Sequence, residues 1–162
     1  MGKINLVRID DRLIHGQVMT KWSKGMGTNA IYVVDDVTAA DEFMKDIYIS
    51  TNSSADLKIK VYNVDEVIEE WKNNEFGDDK AILLFKTVKS AKKAIDNGIP
   101  VEALNIGGIA KKANATFVIN TVGLTPEDAE LLGEVKAKGI DIYFQIVPDT
   151  KKVSYEEAIK LL

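Results

Sequence analysis

The run Ala81-Ile82-Leu83-Leu84-Phe85 holds no polar residue at either parity of a strand, so a strand built from it must be covered on both faces. That requirement points to the middle of a sheet sandwiched between helices. Around it, apolar runs of strand length alternate with segments of helical period, the pattern of an α/β chain with a mainly parallel sheet. Lys3–Ile9, Ala30–Val34, Lys58–Tyr62, Ala81–Phe85, Ala103–Ile106, Thr116–Val122 and Ile140–Val147 read as strands. Between them the chain reads as helix.

The first helix is expected from Ile14 or His15 to Lys24-Gly25, where glycines stop it. Thr38 is read as the cap of a helix from Ala39 to about Ile49, and Asn63 with Glu66 as a capping box opening a helix to about Asn73. Helices Val88–Asp96, one opened by Thr125-Pro126-Glu127-Asp128, and a closing one over Tyr155–Leu162 complete the pattern. With no repeat, linker or low-complexity segment, residues 1–162 read as a single doubly wound domain, with an antiparallel strand among the last ones.

Composition narrows the chemistry. There is no cysteine, which excludes disulfides, thiolate metal sites and cysteine nucleophiles. The formal charge of −4 offers no general attraction for nucleic acid or anionic lipid, so any anion site must be local. Met1-Gly2-Lys3-Ile4-Asn5 leads straight into a strand pattern without a signal-like apolar segment. No apolar stretch approaches the roughly 20 residues that span a bilayer. A cytoplasmic protein is the expectation.

Only one histidine is present, His15, and only two arginines, Arg8 and Arg12, against nineteen lysines. Both arginines lie within seven residues of that histidine. A lone histidine is by default a hydrogen-bonded structural residue, but this one falls where ligands bind in open α/β sheets, beyond the carboxyl end of a strand. A neutral imidazole can act as a nucleophile near pH 7, and guanidinium groups suit the oxyanions of a phosphoryl group. Asp10 has the spacing to orient the ring, the following helix would add N–H donors, and Gly16 leaves room for close approach.

The same strand end supplies Asp11, and other strand ends supply Asp35-Asp36, Lys86-Thr87 and Gly107-Gly108, so four segments are expected to converge on one crevice. Each has a plainer reading. Asp10 and Asp11 are common turn residues, Asp35 and Asp36 common helix-capping ones, Arg8 can simply pair with a carboxylate, and glycine pairs mark many turns. Trp22 and Trp71 read as core or interface residues.

The eleven residues Arg8-Ile9-Asp10-Asp11-Arg12-Leu13-Ile14-His15-Gly16-Gln17-Val18 strongly resemble the phosphorylation-site motif of the IIB component of the mannose/fructose/sorbose family of bacterial sugar phosphotransferase systems. Leu83-Leu84-Phe85, Leu104-Asn105-Ile106-Gly107-Gly108 and Gly139-Ile140-Asp141-Ile142 extend the resemblance along the chain. It implies a free-standing IIB domain rather than a fusion to IIA.

By that resemblance, His15 carries a phosphoryl group on Nδ1, received from a phosphohistidine of IIA and passed to a sugar moved by the membrane components IIC and IID. Arg12 helps hold the phosphate and Arg8 and Asp10 support it, while Gly16, Gln17, Asp35, Thr87, Gly107 and Gly108 are candidates for the phosphate and partner loops. No cofactor or metal is implied. Peripheral attachment to the inner membrane face through IIC and IID, and a homodimer, are further implications.

Two loops depart from the family pattern. Phe85-Lys86-Thr87-Val88 lacks the Thr-Asn-Pro that several members show, and Ile109 stands where methionine commonly follows the two glycines. Two other functions fit the same residues: a regulatory or binding module using the same phosphorylatable histidine, and a metal-assisted hydrolase using Asp10, Asp11, Asp35 and His15. Arg12 in the same loop opposes a dication in the latter.

Overall fold

The computed structural model describes residues 2–14, 18–23, 26–50 and 57–162. Seven strands form one sheet: β1 (Lys3–Asp10), β2 (Ala30–Val34), β3 (Lys58–Tyr62), β4 (Lys80–Phe85), β5 (Ala103–Gly108), β8 (Asp141–Phe144) and β9 (Val153–Ser154), in the order β3-β2-β4-β1-β5-β8-β9. All pairs are parallel except β8 with β9. The all-apolar run lies in β4, between β2 and β1, and all five of its residues are buried.

The expected antiparallel strand is β9. A separate antiparallel hairpin, β6 (Thr116–Ile119) and β7 (Val122–Leu124), stands beside the sheet.

Strand alternation sorts the core into two layers. Val7, Ile9, Leu83, Phe85, Leu104 and Ile106 face one side. There they pack with residues of α4 (Val64–Asn74), α5 (Val88–Asp96), α6 (Pro126–Lys136) and α7 (Tyr155–Ile159). Leu6, Ile31, Val33, Ile82 and Leu84 face the other, with Trp22 of α1 (Val18–Ser23) and Leu13. Arg8 and Asp10 share the parity of Leu6 and therefore lie on this second face.

Several boundaries differ from the sequence expectation. Asp35, not Thr38, is the cap: its extended backbone and its carboxylate, accepting from Thr38 N at 3.0 Å, open the short helix α2 (Asp36–Ala40). Asp41 then breaks the expected single helix. It is extended (φ −105°, ψ 101°), and its side chain accepts from Phe43 N and Met44 N, starting α3 (Glu42–Ser50) afresh.

The stretch read as one strand, Thr116–Val122, folds back at Asn120-Thr121 into the hairpin. The strand expected over Ile140–Val147 ends at Phe144, where Gln145 begins a loop. The closing helix stops at Ile159. The boxes at Asn63/Glu66 and Thr125/Asp128 form as expected. Among the described residues no helix is long and apolar enough to cross a membrane.

At the opposite end of the sheet from the strand carboxyl termini, buried Tyr32 donates its hydroxyl to Asp79, which also accepts from Lys58 Nζ at 2.8 Å. Burial raises the Asp79 carboxyl, but the hydrogen bonds from Lys58 and Tyr32 and the charge of Lys60 outweigh it, leaving the group below its ordinary 3.8. A depressed carboxyl stabilises the fold above its unfolded pKa, and that contribution is lost as pH falls through the folded one. Urea midpoints of the wild type and Asp79→Asn should therefore differ at pH 7 and converge as pH drops below about 4; a gap independent of pH would contradict this.

Candidate phosphoryl site at the β1–β5 crevice

The chain leaves β1 toward β2 on one side of the sheet, whereas the path out of β5 leads to β8 on the other. The carboxyl ends of these adjacent strands thus flank a topological switch point, where a crevice opens in doubly wound sheets. The arginine-rich segment enters there.

Arg8, still within β1, is fully buried. Its Nη2 donates to Asp10 Oδ2 at 2.9 Å, and its Nη1 to Asn105 Oδ1 at 2.5 Å and to the Gln145 carbonyl at 3.1 Å. The guanidinium carbon lies 5.4 Å from the centre of the Trp22 ring. Among the described residues Nε has no hydrogen-bond partner. Burial lowers the Arg8 pKa from its ordinary value, against the raising effect of Asp10. The cation is held in place by the carboxylate beside it.

Asp10, also fully buried, organises the turn that follows. Oδ1 accepts from Arg12 N and Arg12 Nε, both at 3.0 Å, while Oδ2 accepts from Arg12 Nη2 at 3.1 Å as well as from Arg8. Its carbonyl accepts from Leu13 N at 2.9 Å. Leu13 takes a left-handed backbone (φ 56°), unfavourable for a residue with a Cγ branch, and its buried side chain anchors it there.

Arg12 differs from Arg8 in exposure: its side chain is 43% accessible while one edge is fixed on Asp10. The rest of its fork faces outward, a preoriented anion-binding group.

The glycine pair has a steric reason. A Cβ on Gly107 would overlap the Arg8 guanidinium, and one on Gly108 would lie 2.5 Å from Asp10 Oδ1 and 3.2 Å from Arg12 Nη2. The β1–β5 register also slips here, pairing Ile9 with Ile106 but Asp10 with Gly108. Asp11 seals the junction: its N–H donates to the Gly108 carbonyl at 2.9 Å, and Oδ2 accepts from Ala110 N at 2.6 Å. Thr121, at the hairpin turn, donates Oγ1 to the Gly107 carbonyl at 2.7 Å.

The structure therefore brings together Arg8, Asp10, Arg12, Gly107 and Gly108. Asp35 and Thr87 sit at the same sheet edge but use their side chains as caps, Thr87 accepting from Ser90 N at 3.1 Å. His15, Gly16 and Gln17 lie outside the described residues, as does the expected helix start at His15, while Ile14, the other expected start, is a non-helical bend. Both oxygens of Asp10 are engaged by guanidinium groups, an arrangement unlike a metal ligand. Asn105 and Gln145 were not among the expected site residues. The available signal was Asn105 itself, an amide between Leu104 and Ile106 in a buried strand.

The chain is similar to known proteins over nearly its whole length. The family model described as PTS system sorbose subfamily IIB component matches residues 4–161. The mannose-specific EIIAB component of Escherichia coli is 31% identical over 98% of this chain, which spans only about half, 47%, of that relative's length. Among solved structures, manxB from Thermoanaerobacter tengcongensis superposes with a TM-score of 0.91 at 40% identity, covering 99% of this chain and 96% of the other. The IIBSor domain of the Klebsiella pneumoniae sorbose permease gives 0.90 at 27% identity, covering 98% and 96%.

Gly107→Ala should lower the unfolding free energy by about 1–3 kcal/mol, the usual cost of overpacking. In an Arg8→Ala background the added cost should vanish, because the group it strikes is gone. Urea unfolding of the four proteins checks this; an unchanged cost in the Arg8→Ala background would refute the contact.

Proposed function

The chain belongs to the sorbose subfamily of phosphotransferase-system IIB components, and on that premise we propose that it is a phosphocarrier whose His15 accepts a phosphoryl group from a phosphohistidine of IIA and delivers it to a sugar. The observation that carries this reading is Arg12, fixed on a buried carboxylate yet open to solvent, three residues before the single histidine. No other arginine in the chain is exposed.

In the first step His15 Nδ1, unprotonated, attacks phosphorus in line. The new N–P bond forms as the donor N–P bond breaks, and the donor imidazole leaves with its electron pair. Phosphoryl transfer passes through a loose transition state with charge spread over three oxygens, so what the protein supplies is positioning and positive charge. Arg12 provides both. Asp10 keeps the guanidinium in one orientation, and Arg8 holds Asp10 in place.

In the second step a sugar hydroxyl attacks the phosphohistidine: the O–P bond forms as a base takes the hydroxyl proton, and the His15 N–P bond breaks with its electron pair returning to Nδ1. A phosphoramidate is already an energetic donor, so neither step calls for a nucleotide. Membrane components IIC and IID present the sugar, which places the chain at the cytoplasmic face of the membrane.

Incubation with radiolabelled phospho-IIA should label the wild type with acid-labile, alkali-stable phosphate. His15→Ala should take up none, and Arg12→Lys should be labelled on the order of a hundredfold more slowly, as when a transition-state donor is removed. Label retained on the His15→Ala protein would overturn the assignment.

A further inference from the structure

Two backbone carbonyls at the carboxyl end of β8 bind groups from either side of the arginine turn. The Gln145 carbonyl accepts from Arg8 Nη1 at 3.1 Å and from Asn105 Nδ2 at 3.2 Å. The next carbonyl, that of Ile146, accepts from the Trp22 indole N–H at 3.0 Å. Trp22 belongs to α1, downstream of the turn, and its ring also lies against the Arg8 guanidinium.

The loop bearing these carbonyls is itself braced. Gln145 N donates to the Ile106 carbonyl at 3.2 Å, and Gln145 Nε2 donates to Pro148 O and Thr150 O at 3.2 and 2.8 Å. Thr150 Oγ1 accepts from Val147 N and donates to the Val147 carbonyl.

Asn105 is the hinge of the arrangement. It is fully buried in β5, in register with Arg8 on one side and Tyr143 on the other. Its amide has one acceptor and one donor group, and both are used: Oδ1 on Arg8, Nδ2 on the Gln145 carbonyl. Leucine matches its size but can do neither.

We propose that Asn105 and Trp22 are positioning residues for phosphoryl transfer: Asn105 locks Arg8, and through Asp10 the orientation of Arg12, while Trp22 ties α1 to the adjacent Ile146 carbonyl and lies against Arg8. Neither touches the phosphoryl group. The proposal rests on the phosphocarrier reading, with His15 as the acceptor.

Because Asn105 acts through Arg12, its loss matters only where Arg12 is present. Labelling by phospho-IIA is followed in the wild type, Asn105→Leu, Arg12→Lys and the double variant. Asn105→Leu should lower the rate at saturating donor by roughly tenfold to a hundredfold, as expected for a reacting group displaced by up to an ångström, with KM for the donor unchanged. In the Arg12→Lys background the same change should have little further effect. Equal fold losses in both backgrounds, or no loss in a folded Asn105→Leu protein, would overturn the proposal.

If Asn105→Leu does not fold, Trp22→Phe takes its place in the cycle. It keeps a ring beside Arg8 and removes only the indole N–H, and the same two outcomes decide. A wild type that takes up no label would refute the phosphocarrier reading instead, and the positioning chain is then read by NMR. With only two arginines, the chain gives two Nε–H signals, assigned by Arg12→Lys. The Arg12 signal should be protected from exchange in the wild type and lose protection in Asn105→Leu; unchanged protection would overturn the proposal.

Discussion

The ion pair between Arg8 and Asp10, both fully buried, is the interaction on which the arginine turn depends. A cation and a carboxylate taken out of water are costly unless each has further hydrogen bonds, and deleting one of them strands the other at about 3–5 kcal/mol. Here the additional bonds build the site. Arg8 uses Nη1 on Asn105 and Gln145, fixing β1 against β5 and the loop after β8. Asp10 also accepts from Arg12 N, Nε and Nη2, fixing the turn.

The two guanidinium groups on one carboxylate have different fates. Arg8 is sealed beneath Trp22, while Arg12 is left at the surface with part of its fork open. Asp10 pairs with two guanidinium groups and Asp11 turns its Oδ2 to the Ala110 N–H, so Arg12 presents cationic N–H donors at the surface of a chain of net charge −4. The fold places those donors at a switch point of the sheet, where the glycine pair lets β5 approach the arginine and aspartate closely enough for the ion pair to form. In the proposed reaction a phosphoryl group would meet these fixed donors whatever the overall charge of the protein.

Much of this architecture is legible in the sequence because local rules set it. The apolar run Ala81–Phe85 had to be central, and the boxes at Asn63/Glu66 and Thr125/Asp128 needed only spacing three apart. The cluster of Arg8, Asp10 and Arg12 is likewise contiguous. Illegible features were those decided by competition or by distant partners. Asp35 and Thr38 are both good caps, and the backbone at Asp35 decides between them; Asp41 serves a second cap that splits the helix. The hairpin turn at Asn120-Thr121 carries no glycine, so Thr116–Val122 reads as one strand until Thr121 meets the Gly107 carbonyl. Asn105 and Gln145 reach Arg8 only through the β1–β5–β8 register, which lies 97 and 137 residues along the chain.

The proposed phosphocarrier role rests on one bond, between phosphorus and the single histidine, three residues after Arg12. Because the chain has only His15, labelling histidine with nitrogen-15 gives two ring signals to follow, and phosphorylation by phospho-IIA is read directly by phosphorus-31 NMR. The account predicts one phosphoramidate resonance with one-bond coupling to Nδ1. A phosphorus signal without coupling to either ring nitrogen, or one released by hydroxylamine as an acyl phosphate is, would contradict it.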